Sequence, residues 1–144
     1  MPAETIRVSD DPERVRALFR EYADELAVDL SFQDFERELA DPFAVYEVVL
    51  VAEDGCVALR RIDEQTCEMK RLYVHPRARG GGLGRALAGA VVAHARARGY
   101  ARMRLDTLPR MAAARGLYAS LGFREIEPYR PNPIPGTTYL ELEL

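Results

Sequence analysis

Between Tyr46 and Val74 the β-prone runs YEVVLVAE, CVALRRI and CEMKRLYV follow one another with only Asp54-Gly55 and the polar DEQT between them. Connections that short allow only antiparallel neighbours, because a parallel return needs a crossover of roughly a dozen residues or more. The third run then passes directly into HPRARGGGLGRALA, where Gly80, Gly81, Gly82 and Gly84 stand at the start of an apolar periodic segment, Leu83, Leu87, Ala90 and Val91. A glycine inside an element costs roughly 1 kcal/mol against alanine, so four of them at a strand-to-helix junction point to something held there.

The rest of the chain sets that junction in a larger order. Thr5 to Val8 is β-prone, and Asp11-Pro12 offers an N-cap with proline at the first helical position. Val15, Leu18, Phe19, Tyr22 and Leu26 then form one apolar stripe. A second helix is expected from a Ser31 cap, with Phe32, Phe35 and Leu39 inward and a stop near Asp41-Pro42. The helix after the glycines ends at Arg96, Arg98 and Gly99, MRLDT reads as a buried strand, and Pro109 opens a helix through Tyr118 to Gly122. FREIEP and TYLELEL are the last strands, on either side of YRPNPIPG. The sequence predicts an α/β (α+β) fold, a mixed and mostly antiparallel sheet with about four helices, as a single domain over residues 1–144. An open edge at Tyr139 to Leu142 would allow pairing into a homodimer.

Composition narrows the function. Apolar residues are 48% and charged residues 30%, and the 20 basic side chains against 23 acidic ones are dispersed, which argues against nucleic acid as a partner. The N-terminus lacks the apolar core of a signal peptide and no run approaches the roughly 20 apolar residues that span a bilayer, so a cytoplasmic protein without a membrane partner is expected. Cys56 and Cys67 fall on two strands of a hairpin turning near Glu64, a register that sets Cys56 opposite Leu72, and both are expected as reduced structural thiols. His75 and His94 have no carboxylate or cysteine at ligand spacing, and no metal is predicted.

A glycine-rich loop at a helix N-terminus is a seat for an anion, with Arg79 and Arg85 at its rim. The P-loop pattern is absent, since Gly84 is followed by Arg85 and Ala86 where lysine and a hydroxyl are required. The dinucleotide fingerprint fails as well: its third position is Leu87 or Arg85, although Asp106 lies 22 residues beyond Gly84 like a ribose-binding acid. Arg-x-x-Gly-x-Gly is met by Arg79, Gly82 and Gly84. That segment resembles the acetyl-coenzyme A binding motif of the GNAT acyltransferases. EMKRLYVHP before it and AARGLYASLGF on the later helix resemble GNAT sequences in order and spacing, so that the likeness covers nearly the whole chain. Where many relatives carry a basic residue, this chain has Gly81, and its Asp54-Gly55 turn is tighter than usual.

The resemblance implies a strand pair splayed apart before the glycine loop, with acetyl-CoA as co-substrate. Leu72, Tyr73 and Val74 would hold its pantetheine by main-chain groups, and Arg79, Gly80, Gly81, Gly82, Leu83, Gly84 and Arg85 its pyrophosphate. It implies an N-acetyltransferase that moves the acetyl group to a primary amine of a small molecule, amino acid or peptide by direct transfer. Tyr118 falls where the family places a general acid, and Glu68 where some members place a general base. A carboxylate near pKa 4.3 taking a proton from an alkylammonium near 10.4 works uphill by about six units, whereas a phenol near 10 donating to a thiolate near 8.5 works against only about 1.5.

Each assignment has a plainer alternative. Glu68 also reads as a solvated strand residue paired with Arg71 or Lys70, and Tyr118 as ordinary core. Asp106 and Thr107 end the splayed strand in a position suited to substrate, or cap the next helix. Lys70, Arg71 and Arg130 would favour a substrate with a carboxylate, or are solvated surface. The competing reading of the whole chain is a non-catalytic acyl-CoA binding module that keeps the glycine loop alone.

Overall fold

The computed structural model describes residues 5–26, 34–108 and 112–144. Asp11 opens the first helix as expected: its Oδ1 accepts the Glu13 and Arg14 N–H groups at 3.0 and 3.2 Å, and α1 runs over Pro12–Leu26 after the short β1, Arg7–Val8. The expected Ser31 cap and Phe32 lie outside the described residues, as do Pro109 and Met111; α2 covers Phe35–Ala40. Asp41-Pro42 ends α2 but also starts a one-turn helix, α3 (Pro42–Val45), which the sequence reading did not separate. The triplet of strands is β2 (Val48–Ala52), β3 (Gly55–Arg61) and β4 (Thr66–Val74). A 3-10 turn, Pro76–Ala78, leads to α4 (Leu83–Ala97), followed by β5 (Arg102–Thr107), α5 (Ala112–Ser120), β6 (Arg124–Ile126) and β7 (Thr138–Glu143).

All seven strands form one sheet in the order β1-β2-β3-β4-β5-β7-β6, antiparallel except for β4 beside β5. Alternation along β2 sorts the two faces. Val48, Leu50 and Ala52 pack with Val57, Leu59 and Met69 under α4, whose Leu87, Val91 and Ala95 are fully buried. Val49 and Val51 face the other way with Ala58 onto Val15, Leu18 and Phe19 of α1. Burying such a side chain stabilises by roughly 1.5–3 kcal/mol, so both helices are fixed by packing rather than by propensity.

Two expectations need correction. β7 is interior, paired with β5 on one side and β6 on the other, so the homodimer edge assigned to Tyr139–Leu142 is not an edge; β6 follows β7 at that end because TYLELE is the longer, more buried strand. The β2–β3 turn is Glu53-Asp54, with Gly55 already paired to Ala52. Gly55 serves close approach: a Cβ there would lie 2.5 Å from the Tyr73 carbonyl oxygen. Among the described residues no helix is long and apolar enough to cross a membrane.

Candidate active site

The β3–β4 hairpin turns where expected and keeps its register up to Ala58 opposite Lys70, but Cys56 then faces Tyr73 instead of Leu72. One extra residue has entered β4. Arg71 sits at this bulge with φ 59°, a left-handed conformation costly for a side chain with a Cβ and held only by strong surroundings. Glu38 of α2 supplies them: Arg71 Nε and Nη2 donate to its two carboxylate oxygens, each at 2.8 Å. The guanidinium also lies 5.4 and 5.3 Å from the ring centres of Tyr22 and Phe35. Burial works against the Arg71 charge, but the Glu38 hydrogen bonds and the electrostatic influence of Tyr46, Tyr22 and Glu38 outweigh it and hold the guanidinium above its ordinary pKa.

The bulge coincides with the separation of two strands. The parallel ladder of β4 and β5 ends at Glu68 opposite Arg104, although β4 continues to Val74 and β5 to Thr107. The edge of β4 that faces β5 is therefore left unpaired from Met69 onward. Beside it opens a cleft of about 390 Å³ whose walls include Leu72, Tyr73, Val74, Arg79, Gly80, Gly82, Leu83 and Gly84. Gly81 and Arg85 are not on this wall, and Arg85 donates to Ser120 Oγ at 2.7 Å.

Gly80 and Gly82 have φ values of 85° and 88°, which explains two of the glycines by backbone conformation alone. No side chain caps α4, and its first internal bond is Ala86 N–H to Gly82 O, so the N–H groups of Leu83 and Gly84 have no helical acceptor. A Cβ on Gly84 would sit 3.6 Å from Val74 and 3.8 Å from Leu117, filling the passage between opposite walls. That passage, leading to an uncapped helix end, fits a slender arm carrying an anion. Arg79 donates to Val74 O at 3.0 Å through Nε and pairs with Glu25 through Nη2.

An inner pocket continues past Tyr22, Leu26 and Leu72 toward Lys70, Asp106 and Tyr118. Tyr118 is buried, packs on Phe123 at 5.7 Å between ring centres and reaches this pocket, so it is both core and wall. Burial, then the nearby Tyr22 and Asp106, pushes its phenol above the ordinary value, which keeps the proton on at neutral pH. Asp106 accepts Asn132 Nδ2 at 3.3 Å, while Thr107 is buried with its Oγ1 lacking a partner and does not line the pocket.

Glu68 is not solvated, contrary to the plainer alternative, and it does not pair with Arg71 or Lys70. It is fully buried between Arg60 at 2.9 Å and Arg130 at 2.8 Å, and Tyr129 O–H donates to its Oε2. It does not line either pocket. Burial pushes the Cys56 thiol up and, as the first cause, that of Cys67 to about 12, so both free thiols stay protonated. Glu38, Glu25, Tyr129 and Asn132 escaped sequence reasoning because each acts through a partner at least 26 residues away.

Residues 12–123 match the family described as Acetyltransferase (GNAT) family. A protein of Schizosaccharomyces pombe named as an uncharacterized N-acetyltransferase is 39% identical over 96% of this chain and 92% of its own. In fold, a Streptococcus agalactiae acetyltransferase superposes with a TM-score of 0.80 at 22% identity, each chain covered in full. A Salmonella typhimurium acetyltransferase whose structure holds its cofactor acetyl-CoA gives 0.68 at 25% identity, over 99% of this chain and 94% of the other. The family match spans most of the chain and includes the bulged strand, the uncapped helix and Tyr118: the protein belongs to the GNAT family and is an N-acetyltransferase of that type.

Proposed function

We propose that the protein transfers the acetyl group of acetyl-CoA directly to a primary amine within one cleft. The observation that carries this reading is the separation of β4 from β5, which joins the anion seat of α4 to the inner pocket beneath Tyr118. Acetyl-CoA supplies the activated acetyl thioester. Main-chain N–H groups at Leu83 and Gly84, with Arg79, bind the diphosphate, and Gly80, Gly81 and Arg85 shape its surroundings. The unpaired edge at Leu72, Tyr73 and Val74 holds the pantetheine arm and orients the thioester carbonyl. Asp106, with Thr107 behind it, orients the amine. Tyr118 donates its phenolic proton toward the departing sulfur. Glu68 takes up the proton lost by the amine through water or Tyr129, since two arginines and that phenol surround its oxygens. Two buried, protonated thiols give no support to a covalent route through cysteine.

Calorimetric titration with acetyl-CoA, with NAD and ATP in parallel, tests the reading: micromolar binding of acetyl-CoA alone is expected, and absence of binding overturns it. Gly82→Glu, which adds a Cβ at φ 88° and a carboxylate at the anion seat, is expected to abolish that binding by the same titration. Glu25→Gln acts the other way. It frees Arg79 from a half-exposed ion pair, and the acetyl-CoA Kd is expected to fall by about two- to fivefold.

A further inference from the structure

The cleft beside β4 and the inner pocket share three wall residues, Tyr22 and Leu26 of α1 and Leu72 of β4. These three form a waist between spaces of about 390 Å³ outside and about 30 Å³ inside. The smaller space holds about two or three groups the size of a water molecule. Lys70 and Arg71 on its wall are buried rather than solvated. Leu26 at the end of α1, Leu108 just past β5 and Ile134 of the β6–β7 loop form an apolar side of it and pack together in a cluster of their own. Ile134 is fastened there by its backbone. Asn132 Oδ1 accepts the Ile134 N–H at 2.9 Å while Asn132 Nδ2 donates to Asp106 Oδ2 at 3.3 Å, and the Thr137 hydroxyl donates to Ile134 O at 2.8 Å. One asparagine thus ties the apolar wall to the end of β5. An oversized guest would have to displace a wall that is both packed and hydrogen-bonded, which forces neighbouring side chains off their rotamers.

From this geometry, and resting on the acetyltransfer reading above, we propose that the wall of Leu26, Leu108 and Ile134 measures the acyl group of the donor, admitting acetyl and turning away longer chains. The coenzyme is common to every acyl-CoA and is held in the outer cleft, so it cannot discriminate among them. Discrimination falls to the space beyond the waist. With the sulfur beside Tyr118, the acetyl methyl, its carbonyl oxygen and the attacking nitrogen use up the room that is there. A propionyl group competes with the nitrogen for that room, and a butyryl group exceeds it even with no amine bound. One methylene too many at an apolar wall discriminates by roughly 10–200-fold. Ile134 is the residue that sets the limit most directly, because it is half-buried on a loop and its truncation opens the pocket without removing a strand or helix contact.

The test needs no acceptor: calorimetric titration of the protein with acetyl-, propionyl-, butyryl- and hexanoyl-CoA, with coenzyme A itself as the reference without an acyl group. The Kd is expected to rise from acetyl- to butyryl-CoA by about tenfold or more and to rise again at hexanoyl-CoA. Ile134→Ala is expected to narrow the gap between acetyl- and butyryl-CoA to less than about threefold, and Leu26→Ala, from the opposite side of the pocket, to narrow it independently. Retained folding is read from the Tm of each variant. Coenzyme A separates a measuring wall from a merely structural one, since a wall that measures changes the ratio between chain lengths, whereas a general loosening raises every Kd together. Equal Kd values across the series, a gap that survives both substitutions, or a uniform rise that includes coenzyme A overturns the inference and leaves acetyltransfer standing. Failure to bind acetyl-CoA removes both.

Discussion

Tyr118→Phe is expected to lower kcat by about 100-fold or more while changing the acetyl-CoA Kd by less than about threefold, because general acid catalysis contributes roughly 10²–10⁴-fold to such steps. The substitution keeps the ring against Phe123 and inside the core, so the fold loses little. What it removes is the hydroxyl at the inner pocket. Among the described residues no protein group takes that hydroxyl's proton, which leaves it for an external acceptor. Burial, Tyr22 and Asp106 all raise the phenol's pKa, so it remains protonated through the neutral range and places no falling limb near pH 7–9 in the rate profile. A raised pKa also makes the donation harder: for an ordinary phenol and thiol the step is uphill by about 2 kcal/mol, and here by more until the sulfur's charge develops beside it. Steady-state kinetics by thiol release, with calorimetry on the same sample, separates the two quantities. An unchanged kcat would remove Tyr118 from proton transfer and leave it a wall residue.

The sequence carried the parts of this site that depend on backbone chemistry. Glycines at φ 85° and 88°, an aspartate before a proline and an apolar period of 3.6 each have a local physical meaning, and all three recur in the structure where the residues imply them. The Arg79–Gly84 loop and the strand before it were therefore legible to within a residue. Side-chain partnerships were not. Glu68, read as a candidate base, kept a solvated strand residue as its alternative because alternation says which face it takes, not what covers that face; the cover is Tyr129 and Arg130, from a loop about 60 residues away. The bulge escaped for a related reason. Nothing in MKRLYV announces an extra residue, since arginine at positive φ is disfavoured locally and becomes acceptable only through Glu38. The Tyr139–Leu142 edge failed because strand order in a mixed sheet is decided by which strand can fill the slot beside β5; the longer β7 takes it, and its position last in the chain does not make it last in the sheet.

Glu38→Ala is expected to destabilise the protein by about 3–5 kcal/mol, the cost of leaving a buried guanidinium without its carboxylate. Total stabilities of such domains are about 5–15 kcal/mol, so the urea midpoint should fall by about a fifth or more. Glu38→Leu with Arg71→Met distinguishes stability from positioning. That pair removes both charges and keeps apolar volume between Tyr22 and Phe35, so most of the midpoint should return, as it does when buried ion pairs are replaced by packed apolar groups. Activity should not return with it. Methionine at φ 59° has no bidentate partner to offset the strain, and the strand gains by absorbing the extra residue, which re-registers Leu72, Tyr73 and Val74 against β3. Those residues form the unpaired edge along the cleft, and a one-residue slip turns each to the opposite face of the sheet. A double variant with a recovered urea midpoint, an acetyl-CoA Kd raised at least tenfold and a lowered kcat is the expected result. Recovery of all three would show that the bulge is held by the chain around it and that the Arg71–Glu38 pair serves stability alone.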